Sequence, residues 1–181
     1  MAMKNLSFLM LLCVSFFVAA HAEDASIVAA RGIHADVKEV VATGTVAPVD
    51  GITSSGQPDE AALRVFAESG YVAVVDMRGP NENRGLEDEQ AVVEELGMKY
   101  IPFPVTTQGQ ISFDIARDLD GVLQSIDGPV LLHCGSGNRV GAVLALRHSL
   151  GGAGDEDSLA YGKNAGLTRL ENVVKERLSE N

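Results

Sequence analysis

The chain of 181 residues carries a formal net charge of -11, only 5% aromatic residues and no tryptophan. An acidic chain of this kind repels nucleic acid and anionic membrane surfaces, so we expect neither as a partner. Its two cysteines, Cys13 and Cys134, cannot form a disulfide framework, so we expect one domain of ordinary size that relies on its hydrophobic core.

Residues 1–22 have the pattern of a secretory signal peptide. Lys4 supplies a positive charge, residues 6–20 are almost entirely apolar, and Ala20 and Ala22 form a small-x-small cleavage site. The apolar run is shorter than the about 20 residues that span a bilayer. We therefore predict a periplasmic or secreted protein that has no membrane contact after cleavage and keeps Cys134 as its only thiol.

The rest of the chain divides into two parts. Residues 23–50 are mixed in character and predict a flexible start followed by one short strand. Residues 51–181 predict a catalytic domain in which strands at 71–77, 99–101 and 130–133 alternate with helices that begin after Pro58, at 87, after Ser112 and at 140, with one or two more helices beyond 155. This alternation predicts an α/β fold, a mostly parallel sheet with helices on both faces.

The segment that follows the strand at 130–133 predicts an anion site. An apolar run ends in His133 and Cys134, and a glycine-rich stretch leads through Arg139 into a helix. Backbone N–H groups at such a helix start converge on a negative charge, and the same field favours an accessible, reactive thiolate. We predict Cys134 as the nucleophile, and the anion-binding residues are Gly135, Ser136, Gly137, Asn138 and Arg139.

These residues resemble the signature loop of the cysteine-dependent tyrosine and dual-specificity phosphatase superfamily. Residues 54–58, 74–78 and 100–104 are similar to a small bacterial phosphatase-like branch, the domain of unknown function associated with beta-lactamase hydrolases. The resemblance implies a phosphatase-like fold and hydrolysis of a phosphate monoester through a cysteinyl-phosphate. It also implies that His133 supports the loop, that no cofactor is needed, and that the partner is a small anionic substrate or a phosphoprotein.

The chain departs from that superfamily in three ways. Four residues, not five, separate Cys134 from Arg139, and Val140 stands where a Ser or Thr is common. Residues 106–110 contain no carboxylate, although the superfamily's general acid lies there. Candidates for a replacement acid are Asp76, Glu82, Glu87 and Asp114. Asp76 is the first choice, and its alternative role is to hold Arg78 or the loop in place.

Two alternatives to a phosphatase stay open. The six residues from Cys134 to Arg139 also resemble the active loop of single-domain rhodaneses, which implies a sulfurtransferase that carries a Cys134 persulfide. The third possibility is a non-catalytic anion-binding module, since the departures remove groups that turnover needs. His34 and His148 show no metal-ligand spacing with other residues, and we expect no metal.

Overall fold

The computed structural model describes residues 32–82 and 85–180. The predicted signal peptide, residues 1–22, therefore lies outside the described residues. Within the described ranges, no helix is long and apolar enough to cross a membrane.

Five short strands form one parallel sheet in the order β1-β2-β5-β3-β4. Their bounds are His34–Ala35 (β1), Ile52–Ser55 (β2), Ala73–Asp76 (β3), Lys99–Pro102 (β4) and Val130–His133 (β5). The central strand β5 pairs with β2 and β3, which sets His133 opposite Ser55 on one side and Asp76 on the other. The carboxyl end of β5 therefore lies in the middle of the sheet edge where ligands of parallel sheets bind.

Seven α-helices of the described chain cover the two faces of the sheet. Their bounds are Val37–Thr43 (α1), Glu60–Glu68 (α2), Glu89–Glu95 (α3), Phe113–Gln124 (α4), Asn138–Leu150 (α5), Asp155–Asn164 (α6) and Glu171–Ser179 (α7). Helices α1, α2 and α3 pack in one apolar cluster with Val74 and Leu131. Helices α4 to α7 pack in a second cluster with Val75 and Leu132. The predicted α/β fold with helices on both faces is confirmed.

Polar caps begin helices α2, α3 and α4, and α3 begins at Glu89, two residues after its predicted start. The side chains of Asp59, Asp88 and Ser112 accept hydrogen bonds from backbone N–H groups in the first turns of α2, α3 and α4. Glycines at positive φ follow the ends of α2 and α3. These local signals explain why the boundaries of the central elements could be predicted.

The structure differs from the expectation for residues 23–50. The described part of that segment holds a two-residue strand and then helix α1, whose N-cap Asp36 accepts hydrogen bonds from the N–H groups of Lys38 and Glu39. Val40 of this helix is buried in the same cluster as α2. The compact unit begins at Gly32, so the segment before residue 51 contributes a strand and a helix to the domain. A helix of only 7 residues shows too little periodicity to stand out in the sequence.

Two glycines allow helices α5 and α6 to approach each other closely. A Cβ added at Gly141 would lie 2.3 Å from the N atom of Leu167 and 2.6 Å from the carbonyl oxygen of Gly162. A Cβ at Gly162 would lie 2.7 Å from the Cβ of Ala145. Because the atoms around Gly141 are backbone, they cannot move away as a flexible side chain would.

Gly141→Ala should therefore lower the free energy of unfolding by about 1 to 3 kcal/mol, the usual range for overpacking a core. Chemical denaturation of the full chain measures this change. The matched control is Gly121→Ala in α4, where an added Cβ meets nothing within 4 Å. There the same substitution should be neutral or stabilise by about 0.5 to 1 kcal/mol, because alanine favours a helix. Equal effects at both positions would contradict the packing argument.

Candidate active site

The loop between β5 and α5 is shaped by one glycine and one histidine. Gly137 has a φ of 78°, a left-handed conformation that glycine adopts without strain, and α5 begins at the next residue. A Cβ at Gly137 would lie 2.3 Å from Cε1 of His34, so the imidazole packs directly against the loop. His34 also lies 3.3 Å from the Oγ of Ser54 through its Nδ1. His34 therefore supports the loop from β1, and the sequence reading did not foresee this role.

Cys134 lies at the start of this loop and is only 1% exposed. The expectation of an accessible thiol is wrong, because Cys134 packs in the cluster that contains Met77 and Val140. Arg139 lies against the thiol from the other end of the loop. The sulfur is therefore buried beside the Arg139 side chain.

Arg139 is held by three segments of the chain. Its Nη1 and Nη2 atoms donate to the two carboxylate oxygens of Glu82 at 2.6 and 2.7 Å. Nη1 also donates to the carbonyl oxygens of Val105 at 3.0 Å and Met77 at 3.3 Å. A guanidinium has five N–H groups, so Nε–H and one N–H of Nη2 remain along the edge that does not face Glu82. This free edge matches two oxygens of a bound anion.

The pairing with Arg139 decides the protonation of Glu82. The hydrogen bonds from Arg139 are the largest cause that lowers the pKa of Glu82 from 4.5 to about 2, against the opposing effect of partial burial. The N–H of Gly79 and the charge of Arg78 act in the same direction as Arg139. In turn, the hydrogen bonds to Glu82 raise the pKa of Arg139. Glu82 is therefore ionised at neutral pH and holds no proton to donate.

A cleft of about 860 Å³ opens next to Arg139. Its lining includes Glu82, Arg139, Arg169 and residues 106–108. Of the four candidate carboxylates, Glu82 alone lines this cleft within the described residues. Asp114 is instead paired with Arg117 at 2.6 Å on an exposed helix start, and Glu87 is exposed without lining the cleft.

The segment where the superfamily places its acid is a fixed polar turn. The side-chain carbonyl of Gln110 accepts hydrogen bonds from the N–H groups of Thr106 at 2.7 Å and Thr107 at 3.0 Å. A short 3-10 helix, Gln108–Gln110, completes the turn. The hydroxyl and amide groups that it presents to the cleft cannot protonate a leaving group as a carboxylic acid would.

Asp76 does not occupy the position expected of a replacement acid. It is 1% exposed and pairs in register with His133, so its side chain points to the sheet face opposite Cys134. Its oxygens accept hydrogen bonds from the backbone N–H of Arg78 and from the hydroxyl of Tyr100, both at 2.7 Å. This geometry does not support the tentative catalytic role of Asp76 and fits its alternative role, the support of Arg78.

A buried polar network lies on that opposite face. Nε2 of His133 is 2.9 Å from a carboxylate oxygen of Glu89 and 3.7 Å from one of Asp76. The side-chain amide of Gln57 donates to Glu89 at 2.9 Å and accepts a hydrogen bond from Arg78. His133 thus anchors the end of β5, as the resemblance implies. Glu89 was missed because it reads in the sequence as an ordinary first-turn acid of α3.

The same network has the spacing of a metal site. Ligand atoms of Asp76, Glu89 and His133 lie within 4.8 Å of one another, and all three residues are buried. The guanidinium of Arg78, bound to Gln57 beside Glu89, places a positive charge next to this cluster. That charge opposes a bound cation and favours a role for the cluster in supporting β5.

The predicted anion-binding residues differ in their exposure and in their hydrogen bonds. Gly135 and Ser136 are exposed, and the carbonyl of Gly135 accepts the N–H of Gln57 at 3.5 Å. Asn138 is buried, and its side-chain oxygen accepts from the N–H and hydroxyl of Thr168 at 2.8 and 3.1 Å and from the N–H of Leu170 at 3.3 Å. The side-chain oxygen of Asn138 therefore anchors residues 168–170 and is not available to another group.

Comparison with known proteins agrees with this geometry. The family model of the phosphatase-like domain of beta-lactamase hydrolase-like proteins matches residues 44–151. Beta-lactamase hydrolase-like proteins from two strains of Xylella fastidiosa are each 31% identical over 108 residues. The match covers 58% of this chain and 25% of theirs, so the chain spans a quarter of the length of these relatives.

Solved structures share the fold. A protein of Neisseria meningitidis described as a candidate phosphatase superposes with a TM-score of 0.61 at 23% identity, over 70% of this chain and 90% of that one. A candidate phosphatase of Shewanella putrefaciens gives 0.55 at 19% identity, over 70% and 81%. The kinase-associated phosphatase gives 0.53 at 13% identity, over 68% and 79%. At these identities the likeness shows the fold alone.

Glu82→Gln tests the ion pair through its pH dependence. Because the folded pKa of about 2 lies below the usual 4.5, the pairing should contribute fully to stability above pH 4.5 and be lost as the pH falls towards 2. Glu82→Gln should therefore be less stable than the unchanged chain above pH 4.5, and the difference should shrink between pH 4.5 and 2. Denaturant titrations at a series of pH values measure it.

The control for this experiment is Glu60→Gln. Glu60 pairs with Arg64 at 3.0 Å, but both side chains are more than half exposed. Such a pair contributes little, and its loss should change the free energy of unfolding by no more than about 0.5 kcal/mol at any of these pH values. If the stability difference between Glu82→Gln and the unchanged chain disappears already at pH 6, or persists unchanged at pH 2, the pairing with Arg139 does not set the pKa of Glu82.

Proposed function

Because the chain belongs to the family of phosphatase-like domains of beta-lactamase hydrolase-like proteins, we propose that it hydrolyses a phosphate monoester with Cys134 as the nucleophile. The observation that carries this proposal is that Arg139 contacts Cys134 and keeps N–H groups that Glu82, Val105 and Met77 do not use. Glu82, Val105 and Met77 hold the other N–H groups of the guanidinium, so two N–H groups remain for two oxygens of a phosphoryl group. The amides at the start of α5 add further donors to that anion.

The proposed reaction has two displacements at phosphorus. The Cys134 thiolate forms a bond to phosphorus while the bond from phosphorus to the leaving oxygen breaks, and the leaving group departs with the bonding electrons. Water then attacks the cysteinyl-phosphate, the S–P bond breaks, and inorganic phosphate and the thiolate are released. Arg139 holds the equatorial oxygens through both steps and offsets their negative charge.

The leaving group limits the substrates. No carboxylic acid that holds a proton at neutral pH lines the described part of the cleft, because Glu82 has a pKa of about 2. A phenolate leaves far more easily without a proton than an alkoxide does. The proposed substrates are therefore aryl phosphates, and alkyl phosphates are poor substrates.

The same observation favours sulfur transfer as a second candidate. Thiosulfate releases sulfite, which needs no proton to leave, when a thiolate attacks its outer sulfur. Cys134 would then form a bond to that sulfur while the S–S bond to sulfite breaks, and the persulfide would pass its outer sulfur to cyanide or a thiol. The four-residue spacing between Cys134 and Arg139, which is similar to that of rhodaneses, fits this reaction as well.

Intact mass of the protein distinguishes the three functions. We expect a sample quenched soon after mixing with an aryl phosphate to gain one phosphoryl group, and a sample mixed with thiosulfate to stay unchanged. A gain of one sulfur atom from thiosulfate, without a phosphoryl gain, would replace the phosphatase with the sulfurtransferase.

Cys134→Ser is the control, and it should show neither gain. Because Cys134 is the only thiol among the described residues, a gain that persists in this variant would place the modification elsewhere. If neither substrate modifies the unchanged chain and neither is turned over, while phosphate still binds in an Arg139-dependent way, the protein is an anion-binding module.

Leaving-group dependence tests the absence of a general acid. Across a series of aryl phosphates, kcat/KM should fall steadily as the pKa of the phenol rises. Alkyl phosphates should be slower by about 10² or more, since a general acid typically contributes about 10² to 10⁴ in rate. Assays of phosphate release measure both effects, and a rate that is flat across the phenols would reveal an acid elsewhere in the cleft.

The variant Gln108→Glu, compared with the unchanged chain on the same aryl phosphates, tests the effect of a carboxyl group in the cleft. Gln108 is exposed and lines the cleft in the segment where the superfamily keeps its acid. A carboxyl group there should raise the rate for phenols of high pKa more than for phenols of low pKa. An equal change for all substrates would mean that the new carboxyl group does not reach the leaving oxygen.

A further inference from the structure

The cleft is much larger than a phosphoryl group requires. Its volume of about 860 Å³ lies in the range of sites for whole small molecules. Arg139 occupies one part of the lining, and the apolar side chains of Pro80, Ile111 and Leu170 form another. The cleft can therefore hold an aromatic ring together with further groups of the same substrate.

Arg169 adds a second cation to this cleft. Its side chain is exposed and lines the same cavity as Arg139. Among the arginines of residues 32–82 and 85–180, each of the others has a hydrogen bond or an ion pair with a protein group, whereas Arg169 has none. In a chain of net charge -11, an arginine that faces a cleft without an acidic partner is available to a ligand.

The signature loop itself fixes the position of Arg169. The side-chain oxygen of Asn138 accepts three hydrogen bonds from the two residues that flank Arg169, namely Thr168 and Leu170. Leu170 is buried, and Asn138 is buried next to Arg139 in the sequence. The backbone of Arg169 is thus tied to the residue that precedes Arg139. The backbones that carry Arg139 and Arg169 are therefore joined through Asn138 at the start of α5.

Arg169 is not needed for the reacting phosphoryl group. In the proposed reaction Arg139 and the loop amides hold that group next to Cys134, whereas Arg169 belongs to the loop between α6 and α7. The anionic side chain in the described cleft lining, Glu82, is neutralised by Arg139. The cation of the described lining that has no acidic partner is therefore Arg169, and it lies on a different loop from the residues that are proposed to hold the reacting phosphoryl group.

On the basis of the proposed function, we infer that Arg169 selects aryl phosphates that carry a second anionic group. The ring of such a substrate lies against the apolar part of the cleft, its phosphoryl group reaches Arg139, and its second anion pairs with Arg169. Arg169 is then a specificity-determining residue. The second anion can be a carboxylate or another phosphate, which have the same chemistry for a guanidinium.

A pair of substrates isolates this contact. 4-(Carboxymethyl)phenyl phosphate and 4-(carbamoylmethyl)phenyl phosphate have nearly the same size, and a methylene group separates the variable group from the ring, so their leaving phenols are alike. Calorimetry on the Cys134→Ser chain gives the ratio of their affinities without turnover. The carboxylate should bind about two- to five-fold more tightly, the range of a partly exposed ion pair, and less so at high salt.

Arg169→Gln in the same Cys134→Ser background should bring that ratio to about one. Arg64→Gln is the matched control, because it removes the same charge from α2, whose apolar side packs on the other sheet face. It should leave the ratio unchanged. A ratio of one in the parent chain, or a preference that survives Arg169→Gln, would overturn the inference. A third compound, 4-(phosphonomethyl)phenyl phosphate, compares the two kinds of anion. If it binds more tightly than 4-(carboxymethyl)phenyl phosphate, the second anion of the substrate is a phosphate and not a carboxylate.

The proposed function is tested separately with the unchanged chain. If it does not hydrolyse 4-(carbamoylmethyl)phenyl phosphate, the phosphatase proposal fails, whereas the affinity ratio still decides whether Arg169 recognises an anion. If hydrolysis occurs and the ratio is one, the phosphatase proposal stands and the role of Arg169 is rejected.

Discussion

The ion pair between Arg139 and Glu82 holds the candidate site together. Through this guanidinium, the loop that follows β5 is joined to the end of β3 at Met77, to Glu82, and to the segment after β4 at Val105. These contacts use both N–H groups of Nη1 and one N–H of Nη2. The remaining N–H groups are therefore presented to a ligand in one orientation, and little conformational freedom is lost when an anion binds.

A polar network on the opposite face of the sheet supports the loop that follows β5. Adjacent residues of a strand point to opposite faces, so His133 enters the network of Asp76, Glu89 and Gln57 while Cys134 enters the other cluster. Gln57 connects the two sides, because its side chain binds Glu89 and its backbone N–H donates to the carbonyl of Gly135. A buried carboxylate without partners would be costly, and the hydrogen bonds of this network together with the charge of Arg78 offset that cost.

The sequence predicted a mostly parallel sheet, most of the helices and the loop, because these depend on local signals, but it did not predict strand β2. Alternating apolar runs, N-cap side chains and glycines all act within a few residues. The sequence could not predict contacts between distant segments. Glu82 and Arg139 are 57 positions apart, and Asn138 and Thr168 are 30 apart, so nothing local indicates either pair. Asp76 was misjudged for the same reason, since the face on which a strand end places its side chain depends on the register with β5.

The described site places Arg139 next to Cys134 but holds no carboxylic acid that is protonated at neutral pH. Val140 is fully buried, so the hydroxyl that stands after the arginine in the phosphatases is replaced by a side chain that belongs to the core. Glu82 is ionised, and residues 106–108 offer only neutral polar groups to the cleft. Attack on phosphorus and attack on sulfur are the two proposed reactions, and both would use Cys134 beside the fixed guanidinium of Arg139. Phenolate and sulfite both depart as stable anions, so neither proposed reaction needs the acid that the described part of the cleft lacks.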